Sequence, residues 1–164
     1  MTDDEDEEIV CDTTFVSVVQ SASHPKNQTV IASWPTAVRN RLDSAILGIS
    51  VISLAELRSG HLADGWGTER VARAETVIDA YLWFPLDLDV VERCAALRAK
   101  SLRNGWNCGD NDLWIAATAQ SRGCAVVTCD LGFCRIEGID LIYVPGATTA
   151  PRDCPTAGVD TPQK

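Results

Sequence analysis

The residues best suited to chemistry in this sequence are four acids beside short apolar segments: Asp12, Glu56, Asp112 and Asp130. Asp12 and Asp130 end the apolar segments of IVCDTTF and AVVTCD. Glu56 follows another apolar segment, in the first turn of the predicted helix SLAELRSG, and Asp112 lies in the first turn of the predicted helix DNDLWIAATAQ. If these carboxylates converge, they repel one another unless protons are shared or a cation binds. A ligand set made only of oxygens favours Mg²⁺ or Mn²⁺ over zinc.

The three aspartates also have a purely structural interpretation. An aspartate at a helix start accepts hydrogen bonds from the free backbone N–H groups and suits the positive end of the helix dipole. Asp110 is better placed than Asp112 to cap the DLWIAATA helix. Glu56 fits this interpretation less well, because an apolar residue and a glycine stand four positions away on either side and exclude an intrahelical ion pair. Its apolar neighbours, including Ala55, indicate that this turn is largely buried.

The pattern of apolar segments predicts how these acids are positioned. The five predicted strands are Ile9–Cys11, Ile49–Ile52, Leu82–Leu86, Ala125–Thr128 and Leu141–Val144. The segments between them have helical periodicity, which is clearest over Thr68–Ala80 and Val90–Arg103. Apolar strands separated by helices predict an α/β fold with a parallel sheet covered by helices on both faces. In such sheets, functional residues gather at the carboxyl ends of the strands.

Length and composition predict one globular domain with two tails. The chain has 164 residues, of which 46% are hydrophobic and 23% charged, with a formal net charge of −9. We expect an acidic disordered tail over residues 1–8, a folded domain over 9–145, and a flexible C-terminal tail rich in Pro, Thr, Ala and Gly over 146–164. The cysteines form no Cys-x-x-Cys pair and have no histidine at ligand spacing, so a zinc site is not predicted.

The sequence also predicts a cytoplasmic protein. Its acidic start is unlike the basic and then apolar start of a signal peptide. No apolar run approaches the ~18 residues of a membrane span, so we expect no association with a membrane.

Four fragments together resemble one known family. They are VCDTTF, in which an apolar strand ends at an aspartate, the segment SVISLAELRSG, the stretch NDLWIAATA, and VVTCDLGFCRIEGIDLIYV. Their types and order resemble PIN-domain ribonucleases, specifically the VapC-type toxins of bacterial toxin–antitoxin pairs, over about Ile9 to Val144. The resemblance implies a PIN-like three-layer sandwich with a five-stranded parallel sheet of order 3-2-1-4-5.

The resemblance also implies a reaction, which is hydrolysis of RNA phosphodiester bonds assisted by Mg²⁺ or Mn²⁺. The family's acidic quartet falls on the four acids identified above. Asp12 and Asp130 are expected to bind metal directly, and Asp112 directly or through water. Glu56 is expected either to bind a second ion or to orient the attacking water.

Further residues are expected to support the site or to bind RNA. Thr128 lies on the same side of its strand as Asp130 and is expected to support the carboxylates, as are Thr13 and Asn111, although helix capping also explains the last two. The cations expected to form a basic rim are Arg58, Arg93, Arg98, Lys100 and Arg103. A solvated helix face is the alternative explanation for these charges. Trp106 is expected either to stack on a base or to pack in the core.

The family resemblance implies protein partners as well. We expect a VapB-type antitoxin, whose basic side chain could pair with the carboxylates, and a homodimer. The alternative function is a catalytically silent PIN-fold binding module that acts through a protein partner. A haloacid dehalogenase-type phosphatase is excluded, because it needs a second aspartate where this chain has Thr14.

Overall fold

A computed structural model describes residues 6–147 of the chain, and its centre is the predicted parallel sheet. The strands are β1 (Glu8–Cys11), β2 (Ile46–Ser50), β3 (Leu82–Phe84), β4 (Ala125–Thr128) and β5 (Leu141–Tyr143). All neighbouring pairs are parallel and the order is β3-β2-β1-β4-β5. The strand order expected from the family resemblance is therefore confirmed.

Seven α-helices and a short 3₁₀ helix occur within the described residues. They are α1 (Thr13–Gln20), α2 (Pro25–Ser33), α3 (Thr36–Ser44), α4 (Val51–Ala63), α5 (Thr68–Ile78), α6 (Leu88–Asn104), α7 (Asp110–Arg122) and the 3₁₀ helix Leu131–Arg135. In residues 6–147, no helix has the length and apolar character needed to cross a bilayer.

The sheet has a separate apolar core on each face. Ile9 and Cys11 of β1 point into a core with residues of α1, α4 and α5, whereas Val10 points into the core formed with α6 and α7. This alternation follows from the two-residue period of a strand. Both faces are buried, so the three-layer sandwich is confirmed.

The second strand differs from its predicted bounds. The prediction was Ile49–Ile52, but β2 ends at Ser50 and α4 starts at Val51. The Ser50 hydroxyl accepts a hydrogen bond from the backbone N–H of Ile52 at 3.2 Å and thereby caps the helix. β-branched residues after Ser50 resemble a strand in sequence, but the serine cap starts a helix there.

The acidic N-terminal segment also differs from the predicted tail over residues 1–8. Glu8 is the first residue of β1 and pairs with Arg122 at 2.7 Å, and Glu7 pairs with Arg41 at 2.7 Å. These two glutamates therefore belong to the folded domain. Residues 1–5 of the predicted N-terminal tail, and 148–164 of the predicted C-terminal tail, lie outside the described residues.

Gly48 of β2 allows the ring of Phe84 to lie directly against the sheet. A Cβ atom at position 48 would lie 2.1 Å from Phe84 Cε2 and 2.2 Å from Cζ. Phe84 is buried and packs among residues of α6 and α7. The absence of a side chain at this position therefore allows the Phe84 ring of edge strand β3 to lie over β2.

We predict that Gly48→Ala destabilises the fold, because the buried ring must move to admit a methyl group. The expected loss in the free energy of unfolding is about 2 kcal/mol, which is typical of overpacking a core, and chemical denaturation measures it. Gly60→Ala is the matched control: this position in α4 has no heavy atom within 4 Å of the added Cβ. The control should stabilise the helix by roughly 0.5–1 kcal/mol. Equal effects of the two substitutions would contradict this packing argument.

Candidate active site

The four predicted acids lie on elements that meet at the carboxyl edge of the sheet. Asp12 directly follows β1, and Asp130 lies two residues beyond β4. Glu56 is on α4, which follows β2, and Asp112 is in the first turn of α7. Because β2, β1 and β4 are adjacent, the ends of these elements are brought together at the point where the strand order reverses.

Asp12 is a buried carboxylate held by several hydrogen bonds. Its side chain is 2% exposed, and Oδ2 accepts from the Thr14 hydroxyl at 2.6 Å, the Thr128 hydroxyl at 2.8 Å and the Thr14 backbone N–H at 3.2 Å. Burial raises the pKa of Asp12, and the hydrogen bonds from the two threonines oppose that rise. Thr14 is a site residue that the sequence analysis missed. The sequence feature that could have identified Thr14 is a hydroxyl side chain two residues after an aspartate at a helix start.

Thr128 links the first and fourth strands through this network. Its hydroxyl donates to Asp12 and accepts a hydrogen bond from the Asp130 backbone N–H at 2.9 Å. The carboxylate of Asp130 in turn accepts from the Gly132 backbone N–H at 2.7 Å. Thr128 is fully buried, so its hydroxyl fixes two acids relative to each other without contact with solvent.

Glu56 is held at both carboxylate oxygens. Thr13 Oγ1 donates to Oε2 at 2.5 Å, and Asn111 Nδ2 donates to Oε1 at 2.8 Å. Glu56 is half-buried, but its neighbour Ala55 is exposed. The expectation that this turn is largely buried is therefore wrong for Ala55. Thr13 and Asn111 connect α4 to the first turns of α1 and α7.

Asp112 is the acid whose charge is most affected by the other three. Burial raises its pKa from 3.8 to about 6, the hydrogen bond from the Gly109 backbone opposes the rise, and the charges of Asp12, Asp130 and Glu56 increase it. The electrostatic effect of all three acids on one carboxylate indicates that the four form a single cluster. Such a cluster attracts cations and protons.

The capping interpretation accounts for the backbone geometry but not for these electrostatics. Asp12 and Asp130 are N-caps, and Asp112 accepts from the Gly109 N–H at 2.7 Å as part of a capping box. The N-cap of α7 is Gly109, so the expectation that Asp110 is the cap is wrong. A cap alone lowers the pKa of an aspartate. The raised pKa of Asp12 therefore indicates that burial outweighs its hydrogen bonds, and that of Asp112 indicates that burial and the charges of the other acids outweigh its cap.

The donor atoms are of the type that a hard divalent cation requires. Within residues 6–147, the hydrogen bonds leave one oxygen without a donor on each of two aspartates: Oδ1 of Asp112 and Oδ2 of Asp130. Glu56 has no such oxygen. In the same described range, no three His, Cys, Asp or Glu side chains are already close enough to hold a metal ion. Oxygen chemistry and mutual repulsion thus fit Mg²⁺ or Mn²⁺.

Most of the predicted RNA-binding cations are already paired with acids. Arg58 contacts Glu75 at 2.7 Å, and Arg98 contacts Asp110 at 3.1 Å. Arg93 contacts Asp89 at 2.7 Å and lines a depression with Glu8 and Arg122, at the amino ends of the strands and hence at the opposite edge from the acids. Exposed pairs contribute little to stability, but they reduce the positive charge available to a phosphate.

The remaining predicted RNA contacts differ in exposure. Lys100 and Arg103 are exposed on α6 and have no ion pair among the described residues. Trp106 is half-buried and packs against the core beneath α6 and α7. Its ring therefore packs against the core while part of it stays exposed, so stacking on a base remains a prediction.

Comparisons with known proteins are consistent with this architecture. The family model described as PIN domain matches residues 9–139. Ribonuclease VapC5 of Mycobacterium tuberculosis (strain ATCC 25618 / H37Rv) is 37% identical over 105 residues, which cover 60% of this chain and 77% of that protein. Ribonuclease VapC4 of the same strain is 33% identical over 99 residues, covering 59% of this chain and 76% of that protein.

A similar fold occurs in a solved toxin–antitoxin complex. A chain of the DNA-bound VapBC structure from Salmonella typhimurium matches with a TM-score of 0.66 and 26% identity, over 84% of this chain and 98% of that one. The family match extends from the first residues of β1 to just before β5 and includes all four acids. The chain therefore belongs to the PIN-domain family and, with its two relatives, to the VapC group.

Proposed function

We propose that this protein is a metal-dependent endoribonuclease, the toxin of a VapBC-type toxin–antitoxin pair, and that it cleaves RNA at the cluster of Asp12, Glu56, Asp112 and Asp130. The main supporting observation is the raised pKa of Asp112, caused by burial and by the charges of the other three acids. Four carboxylates maintained in this way need a cation to be ionised together. The ribonuclease names of the two relatives support RNA as the substrate.

The proposal includes partners and location. The VapBC complexes among the structural neighbours support a VapB-type antitoxin as a protein partner. The proposal also includes a homodimer and a cytoplasmic location, as expected from the family resemblance.

In the proposed mechanism, Asp12, Asp112 and Asp130 are the residues that would hold the metal. When bound there, Mg²⁺ or Mn²⁺ would supply an activated water and would offset charge on the phosphate and the leaving oxygen. Thr14 and Thr128 hold Asp12 in one orientation, and Thr128 also fixes the Asp130 backbone. Glu56, held by Thr13 and Asn111, presents a fixed acceptor suited to orienting the attacking water.

One observation favours the alternative of a catalytically silent binding module. Among residues 6–147, the acids are not yet close enough for three of them to share an ion. A module of this kind would retain the fold and the partner but would show no cleavage. The nuclease assay below distinguishes the two functions.

We expect the purified protein, free of antitoxin, to cleave total cellular RNA into discrete fragments with Mg²⁺ or Mn²⁺ and not with a chelator. Asp12→Asn and Asp130→Asn should each reduce the rate by roughly a hundredfold or more, as expected when a group that stabilises developing charge is removed. Gel analysis of the fragments measures the rate. Asp43→Asn, which changes an exposed acid on α3, is the matched control and should cleave as wild type. Absence of metal-dependent cleavage by folded wild-type protein would favour the binding module.

We predict that Asp112→Asn stabilises the metal-free fold at neutral pH. The folded chain binds the Asp112 proton more tightly than the unfolded chain does, since its folded pKa is about 6 rather than 3.8. Ionised Asp112 therefore lowers stability as the pH rises through this interval. Allowing for solvent screening of a half-exposed group, we expect the variant to gain about 1 kcal/mol at pH 7.5 and nothing near pH 4.

Denaturation in urea at the two pH values measures this gain, with Asp43→Asn again as the control. Added Mg²⁺ should stabilise the wild type more than Asp112→Asn, because ligand binding stabilises only a fold that retains the site. A loss of stability in the variant at pH 7.5 would show that the capping hydrogen bond outweighs repulsion.

We predict that Thr128→Val reduces the metal-dependent rate by about tenfold to a hundredfold, as changes to the partners of metal ligands do. Valine has nearly the same shape but cannot donate to Asp12 or accept from the Asp130 backbone. Thr128→Ser restores the hydroxyl and should recover most of the rate. The RNA cleavage assay, repeated across a range of Mg²⁺ concentrations, should show a higher metal requirement for the valine variant. Equal rates for the two variants would mean that the hydroxyl has no part in the site.

A further inference from the structure

A basic depression lies beside the carboxylate cluster, between the start of α2 and α5. Lys26, Arg70 and Arg73 line it, together with His24 and Trp66, and no carboxylate is among its lining residues. None of these three cations forms an ion pair with a described residue. They therefore differ from Arg58, Arg93 and Arg98, whose charges are offset by neighbouring acids.

This basic depression adjoins the depression beside the site. Of the four acids, Asp130 alone lines that neighbouring depression, together with Thr13 and Ser17, and Asn27 lines both depressions. A chain molecule bound beside Asp130 can therefore continue past Asn27 into the basic depression. A single nucleic-acid strand has this shape, with a negative charge on each nucleotide.

The side chain of Arg70 is already ordered for binding. Its guanidinium carbon lies 3.5 Å from the centroid of the Trp66 ring, and the same ring stacks on His61 with 4.4 Å between centroids. A guanidinium held over an indole loses little further freedom when it binds a ligand. Its N–H groups can bond to a phosphate, and its plane can stack on a base.

Two buried donor groups beneath the walls have no hydrogen-bond partner within residues 6–147, and a ligand could reach them only if these side chains turn. Gln20 Nε2 and Trp66 Nε1 are buried and have no acceptor among the described residues, and both side chains line this depression. Cations and unused donors, without a carboxylate, match a ligand rich in acceptors and negative charge. An acidic peptide shares the charge, but it lacks the flat bases that an ordered guanidinium can stack on.

We propose that this depression binds the RNA strand on one side of the cleavage site, with Lys26 and Arg73 on phosphates and Arg70 on a phosphate or a base. The inference rests on the proposed function, since it takes RNA as the substrate. It assigns substrate binding to α2 and α5 rather than to the paired arginines of α4 and α6.

The test measures the Kd of the full chain for a labelled single-stranded RNA of about twelve nucleotides, within the usual range for such sites, in EDTA so that no cleavage occurs. Arg70→Gln/Arg73→Gln should weaken binding on the order of tenfold and lower the slope of log K against log salt by about 1.4, or about 0.7 for each lost phosphate contact. Arg41→Gln/Arg122→Gln removes the same charge at the opposite edge of the sheet and should change the Kd less than twofold. Circular dichroism verifies that both variants are folded.

Three outcomes would overturn the proposal: no RNA binding by the wild type, equal effects of the two double variants, or displacement of RNA by poly-glutamate as efficiently as by unlabelled RNA. The last outcome would indicate a site for acidic peptides. Failure of the proposed nuclease is distinguishable, because it would leave RNA binding in EDTA dependent on Arg70 and Arg73 while no cleavage occurs with metal. If the wild type cleaves RNA and Arg70→Gln/Arg73→Gln binds RNA as tightly as the wild type, the basic depression does not bind RNA, but the proposed nuclease function stands.

Discussion

The burial of the Asp12 carboxylate at the end of the central strand is the constraint on which the site depends. A charge in the interior is tolerated only when hydrogen-bond donors surround it. Here the donors come from α1 and from β4, so the same bonds that hold the charge also fix those elements on β1. An unmatched buried charge costs more than one lost hydrogen bond, and any shift of β4 relative to β1 would remove Thr128 from Asp12. The geometry of the site is thus a consequence of how the fold accommodates this single group.

Ionisation of the remaining acids lowers the stability of the fold. Asp112 lies where a helix dipole and a backbone N–H both favour an ionised aspartate, yet its pKa is raised to about 6. Capping therefore does not account for the placement of acids here, because burial and three like charges outweigh it. Stability lost to such a cluster is regained only when protons or cations bind. This is the electrostatic pattern expected of a functional site rather than of a structural cap.

The sheet, both layers of helices and the residues of the acidic cluster could be predicted from the sequence, because these features depend on apolar periodicity and on where the strands end. The sequence did not predict the features that depend on tertiary contacts, which are the start of one helix and the surroundings of several charged residues. The helix at Val51 starts because Ser50 caps it, although the following residues favour a strand. Arg93 looked available to RNA because its position at the opposite edge of the sheet is visible only in three dimensions, although its i, i+4 partner Asp89 can be read from the sequence. Lys26 and Arg70 were missed because α2 and α5 are far apart in sequence and meet only in the fold.

The distribution of charge explains how a chain with a net charge of −9 can bind a polyanion. Screening limits exposed charges to about 10 Å at ordinary salt, so the local arrangement matters more than the total. Glu7 and Glu8 are paired with arginines at the amino edge of the sheet, away from the acidic cluster. At the carboxyl edge, the cluster repels phosphates unless a cation offsets its charge, and the unpaired cations of the basic depression lie next to it. Under the proposed function, a strand would be attracted first by the depression and would need metal to approach the acids, so affinity and metal binding would be coupled at this edge.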